Sequence, residues 1–191
     1  TIECRGTGNV PNIRAHLTSP PAPLGNQGNI LTAPPDGAQM GPVGGAYQIY
    51  HMEQSTLDQA LPSIALKAWQ SGKNVLIRVP DKQEASRLND LLWTFHPNVF
   101  LPHGADGDKH PERQPVFLSA NDENVNGAEI LILTHGCVME DVASFAMVCE
   151  MLDGRVEPQV KDARSRWKIY KEAGHDLTYW QQDENGKWAK K

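Results

Sequence analysis

GKNVLIRVPDKQEASRLNDLLWTFHPNVFLPHG, residues 72–104, decides the fold. Within it, residues 74–79 form a short apolar run rich in Val and Ile, bounded by Gly72 and Pro80. Such a run reads as an interior strand of an α/β sheet. Asp81 then caps a helix: its carboxylate can accept from free N–H groups of the first turn, and Glu84 can reach back to the N–H of the cap. Ala85, Leu88, Leu91, Leu92 and Phe95 recur at three- and four-residue steps, giving one stripe that packs on the sheet. His96-Pro97 ends the helix. At about 100° per residue, Trp93 falls on the far side from that stripe. Either a following loop covers it or it is exposed. With Phe100 just beyond the helix, the second reading gives two large aromatics at one edge of the domain, the usual material of a protein-protein anchor.

Upstream, residues 46–52 (AYQIYHM) alternate apolar and polar side chains and predict the first strand. Ser55 or Thr56 starts a helix, with Gln59 in capping-box register to Thr56. Leu57, Leu61, Ile64, Ala65, Ala68 and Trp69 supply its apolar face, and Gly72 is placed to close it in the left-handed conformation. Pro62 conflicts locally, and should either kink this helix or mark the first turn of its regular part. Strand, helix, strand, helix implies parallel strands joined by crossovers. Residues 1–39, rich in Pro, Gly, Asn and Gln, read as a disordered leader, consistent with translated sequence upstream of a true start at Met40. Residues 40–191 then form one α/β domain.

Downstream, residues 103–115 are polar and read as loop. Residues 116–118 make a minor strand, residues 129–134 (EILILT) a buried one, and residues 145–152 (FAMVCEML) a further strand or a helical turn. Residues 155–173 form the last long helix, ended by Gly174, with Pro158 tolerable only in the first turn. Its core stripe is Val156, Val160, Ala163, Trp167 and Tyr170. A hairpin around Glu184-Asn185-Gly186 closes the chain, Asn-Gly suiting a type I′ turn.

With 191 residues, 39% hydrophobic and 21% charged, the chain is long enough for one domain with a core of its own. The net charge of −5 provides no global attraction to nucleic acid, so DNA coating is disfavoured. Three cysteines, Cys4, Cys137 and Cys149, lack CxxC spacing and signal neither a disulfide framework nor a zinc knuckle. A reduced cytoplasm fits, and no run approaches a membrane span.

The strand-helix pattern invites a nucleotide-binding or enzymatic reading. Yet Gly72-Lys73-Asn74 lacks the rest of a phosphate-cradling loop, and neither GxGxxG nor GxSxG occurs. His103, His110 and His135 with Cys137 match no standard metal spacing. Asp106 with Asp108, and Asp122 with Glu123, read as solvated loop charge, and Cys137 as a structural thiol. No cofactor, metal or catalytic group is expected. One charge feature stands out in an acidic protein: Lys161, Arg164, Lys168 and Lys171 recur at helical steps beside Trp167 and the apolar stripe. Cations beside an apolar notch suit an acidic peptide with an aromatic or free-carboxylate end, because Arg grips a carboxylate bidentately. A phosphate backbone is the rival ligand.

Three blocks, SGKNVLIRVPDKQEASRLNDLLWTFHPNVFLPHG, NGAEILILTHG and ARSRWKIYKEAGHDLTYWQQDENGKW, together resemble the chi subunit family of bacterial DNA polymerase III, from about Ala46 to the C-terminus. The resemblance implies a Rossmann-like α/β domain without nucleotide chemistry, a component of the clamp-loader complex. It implies an adaptor that holds the acidic C-terminal tail of the single-stranded-DNA-binding protein and so meets DNA only indirectly. The family's tail site, an Arg, an aromatic and a Lys, falls on Arg164, Trp167 and Lys168. A further family Lys falls near Val160, with Lys161 adjacent. The family's second surface, for the psi subunit or an accessory helicase, falls on Trp93 and Phe100. The competing expectation from the residues alone is an enzyme that uses the carboxyl edge of the sheet for a nucleotide or small molecule.

Overall fold

Val75, Leu76 and Ile77, the centre of the apolar run, are fully buried. They belong to a computed structural model that describes residues 45–139, 141–172 and 174–191. The leader expected over residues 1–39, and Met40, lie outside the described residues. In chain order the elements are β1 (Ala46–Met52), α1 (Leu57–Gln70), β2 (Val75–Arg78), α2 (Lys82–Thr94), β3 (His103–Ala105), β4 (Val116–Ser119), β5 (Ile130–Leu133), β6 (Met147–Asp153), α3 (Glu157–Glu172), β7 (Leu177–Gln182) and β8 (Trp188–Lys190). The strands form one sheet in the order β3-β4-β2-β5-β6-β1-β7-β8. Each neighbouring pair is parallel except β7 with β8. This is the expected Rossmann-like α/β fold with a C-terminal hairpin.

Both sheet faces are covered, because a parallel sheet has no solvent face to spare. The stripes of α1 and α2, including Leu61, Ile64, Ala85, Leu88 and Leu92, pack against Tyr50, Met52, Val75 and Ile77 on one face. On the other face Tyr47, Leu76, Leu131 and Val148 form a second cluster, and Ala163 of α3 seals Ile49 and Leu152. Asp81 caps α2 as expected, accepting from the Glu84 N–H at 2.8 Å. The Gln59 side chain accepts from the Thr56 N–H at 2.9 Å at the start of α1. Gly72, at φ 82°, closes α1 in the left-handed region that favours glycine.

Several expectations are corrected. Residues 103–115 are not all loop: β3 pairs with β4 in parallel, and its three residues are buried. The loop carboxylates beside it are not merely solvated. Asp106 accepts from Ser119 Oγ at 2.8 Å and from the Ala120 N–H at 2.7 Å, while Asp108 accepts from the Ala105 N–H at 2.8 Å. Asp122 is likewise engaged, 2.8 Å from Arg78 Nε. The alternation of β1 does not expose its polar side chains: Gln48 is buried and accepts from the Tyr50 hydroxyl at 2.7 Å. Pro62 lies inside α1 rather than in its first turn. The carbonyl its missing N–H leaves without an intrahelical partner is that of Asp58, near the helix start where the disruption is smallest. Val156 is exposed and precedes α3, so it is not part of the core stripe. In the hairpin the Asp183 N–H donates to the Lys187 carbonyl at 2.9 Å, and of the three enclosed residues only Gly186 has positive φ. That is a three-residue loop with glycine at the left-handed position, not a type I′ turn.

Candidate protein-interaction sites

On the exposed side of α2, Trp93 and Phe100 are 56% and 63% exposed. Their ring centroids stand 5.9 Å apart, so the two form one patch rather than two scattered residues. Among the described residues no loop covers Trp93. Beneath it lies His103 of β3, 4.9 Å from the indole between ring centroids. The imidazole is fixed by backbone carbonyls, with Nδ1 2.7 Å from Leu101 O and Nε2 3.1 Å from Asn89 O. A buried, anchored ring thus supports one side of the patch.

The second cluster lies on α3 and the strands beneath it. Val160 and Trp167 of the expected stripe are half-buried on Ile49, Leu152 and Ala163, and Tyr179 of β7 joins them. Trp167 meets Tyr179 edge to face at 6.0 Å, an arrangement that aromatic quadrupoles favour. The Tyr179 hydroxyl and Nδ1 of His51 share a hydrogen bond at 2.5 Å. Burial, the larger effect, raises the Tyr179 hydroxyl above its ordinary value, and Arg164 stands at this junction, its positive charge opposing proton binding by both Tyr179 and His51. Arg164, Lys161 and Lys168 are exposed, and among the described residues none of the three forms an ion pair. The apolar wall and the unpaired cations therefore share one edge of the helix. Such an edge can take a carboxylate and an apolar side chain together.

Sequence patterns alone do not reveal three parts of this region. Arg166, between the basic positions, turns inward and forms an ion pair with Glu150, whose side chain is only 4% exposed. A charged residue in the apolar run of β6 is the one signal that points to it. Tyr179 rather than Trp180 faces α3, and this depends on the register of β7, in which Tyr179 stands beside Ile49. Burial is the chief reason that the His51 imidazole titrates below its ordinary value; Arg164 acts in the same direction, Glu53 and Asp153 against it.

At the carboxyl edge of the sheet two arginines are already engaged. Arg78 pairs with Asp122, and Arg87 is held between Asp58 and Glu84 at 2.7 Å from each. Glu84 also faces His135 Nε2 at 3.4 Å. Among the described residues no group of three or more His, Cys, Asp and Glu side chains could hold a metal ion. Among them, too, no helix is long and apolar enough to cross a membrane.

Fold and surface together define an α/β protein carrying one aromatic and one basic cluster. The chain belongs to the family described as DNA polymerase III chi subunit, HolC, whose model matches residues 46–178. It is 30% identical over 125 residues to the DNA polymerase III subunit chi of Escherichia coli (strain K12), covering 64% of this chain and 84% of that one. To the subunit chi of Pseudomonas aeruginosa it is 29% identical over 133 residues, 69% of this chain and 90% of the relative. The match to the probable subunit chi of Rickettsia prowazekii, 29% identical over 87 residues, spans 46% of this chain and about half, 53%, of that protein.

Proposed function

We propose that the chain is a non-catalytic adaptor of the replication machinery. Arg164, Trp167 and Lys168, with Lys161 beside them, hold the acidic C-terminal tail of the single-stranded-DNA-binding protein. Trp93 and Phe100 form the surface for the clamp-loader side, through the psi subunit or an accessory helicase. One observation carries the reading: Arg164 is exposed and, among the described residues, forms no ion pair with a carboxylate, beside the half-buried Trp167–Tyr179 wall. A guanidinium in that setting can bind a terminal carboxylate with both hydrogen-bonding edges while the wall takes an apolar side chain. The family assignment supports the same reading. Against the enzymatic alternative stands the pairing of Arg78 and Arg87 with carboxylates, which takes both arginines at the carboxyl edge of the sheet away from a phosphate.

The test is a pull-down of the single-stranded-DNA-binding protein with its tail intact and with the tail removed. Association is expected with the first only, and equal capture of both would refute the tail site. Arg164→Ala is expected to weaken binding of the intact partner by about 1.5–3 kcal/mol, as for loss of a charged hydrogen bond.

A further inference from the structure

The family match stops at Thr178, yet β7 runs on to Gln182 and β8 follows it. Strand alternation sorts this added segment onto two faces. Trp180, Gln182 and Trp188 are buried, with the two tryptophans packed around Tyr50. On the other face Tyr179, Gln181 and Ala189 are half-buried and Lys191 is exposed. Gln181 lies opposite Ala189 in the ladder, and the Lys191 N–H donates to the Tyr179 carbonyl at 2.9 Å. A narrow strip therefore leads away from the Trp167–Tyr179 contact towards Lys191.

The strip is held firmly. Gln182 Oε1 accepts from the N–H groups of Glu53, Gln54 and Ser55 at 3.0–3.1 Å, tying the hairpin to the loop after β1. The charge of α3 and the hairpin together differs from that of the rest of the chain. Residues 156–191 hold eight Lys and Arg against six Asp and Glu, although the whole chain carries −5. The carboxylate bordering the strip, Glu53, accepts from Gln181 Nε2 at 2.6 Å.

We propose that an acidic peptide bound at Arg164 and Trp167 continues over this strip, its residues upstream of the terminus crossing Tyr179 and meeting Lys191. The hairpin thereby lengthens the groove; the inference rests on the tail-binding reading above. A nucleic acid fits less well, because a phosphate backbone needs a continuous row of cations. Here Lys191 stands opposite Tyr179 on the neighbouring strand, the adjoining Gln181–Ala189 surface is neutral, and Glu53 flanks it, so no such row exists.

The experiment uses the full chain and fluorescence anisotropy with two labelled acidic peptides that share a C-terminal aromatic residue and free carboxylate. One has two residues and the other about eight, long enough at roughly 3.3 Å per residue to pass Tyr179 and reach Lys191 on the neighbouring strand. The longer peptide is expected to bind about three- to fivefold tighter, the effect of a favourable surface ion pair. Lys191→Glu should remove that gain and leave the short peptide unchanged, whereas Arg164→Ala should weaken both. Equal affinities for the two peptides, or a gain that survives both Lys191→Glu and Ala189→Asp, would overturn the extension while leaving the tail site standing. Failure of the unaltered chain to bind either peptide would overturn both readings. Binding of a deoxythymidine oligonucleotide that depends on Lys191 and is stronger than that of the long peptide would overturn the choice of ligand.

Discussion

Gln182 gathers three backbone N–H groups and the Ser55 hydroxyl onto one side-chain oxygen, and its own amide donates to Ser55 Oγ at 2.8 Å. The residue is buried, so truncation leaves those donors short of partners where water reaches them poorly. Gln182→Ala is expected to cost about 2 kcal/mol of stability, seen as a lower urea midpoint with unchanged slope. Glu150 presents a sharper case, since removing it strands the inward-turned Arg166 guanidinium. Glu150→Ala should destabilise by about 3 kcal/mol, and the double change with Arg166→Met should recover part of that loss in the same titration. At His51 the effect depends on pH. Its folded-state affinity for protons is lowered, chiefly by burial, so below the ordinary histidine value the unfolded chain binds more protons than the folded one. Stability from this group is thus complete above about pH 6.5 and falls as the solution is acidified. His51→Gln should flatten the decline in urea midpoint between about pH 7.5 and 5.5; an unchanged decline would contradict it.

Elements built from strong local signals are legible in the residues themselves. The Asp81 cap and the Ala85–Leu88–Leu92 stripe specify α2 without help from the rest of the fold, and Asp81→Ala should lower stability by about 1 kcal/mol, measured by thermal or chemical denaturation. The same wheel that buries Leu92 places Trp93 outside, which is why half of the aromatic patch can be read from the helix alone. The strand β3 cannot. His103-Gly104-Ala105 has neither alternation nor β-branching, and it becomes a strand because Val116, Phe117 and Leu118 offer it a partner edge. The hairpin turn departs from its local signal for a related reason. Asn185-Gly186 suits a type I′ loop locally, but the Asp183 side chain accepts from the N–H groups of Asn185 and Lys187, both at 2.9 Å, and selects the longer loop. On α3 the period of three and four exposes the basic edge, yet it cannot tell that Arg166 belongs to the interior. Only the neighbouring strand, with Glu150 on it, decides that.

Over the whole molecule, the sheet keeps the two clusters apart. The aromatic patch sits beside β3 and α2 at one end of the strand order, and the basic edge sits over β1, β6 and β7 on the opposite face. Five strand spacings separate β4 from β7, roughly 24 Å at about 4.8 Å each. Sites that distant, without shared side chains, should behave independently, their free-energy effects adding to within about 0.5 kcal/mol. An adaptor needs this independence, because it must hold one partner without releasing the other. Trp93→Ala combined with Phe100→Ala should therefore abolish capture of the clamp-loader-side partner, each exposed aromatic contributing about 2 kcal/mol as an anchor. The same double variant should bind the acidic tail peptide within about twofold of the unaltered chain. Arg164→Ala should give the reverse pattern. Measuring both affinities for both variants by calorimetry decides the matter: if either change weakens both partners alike, the clusters are coupled and the two-site adaptor reading fails.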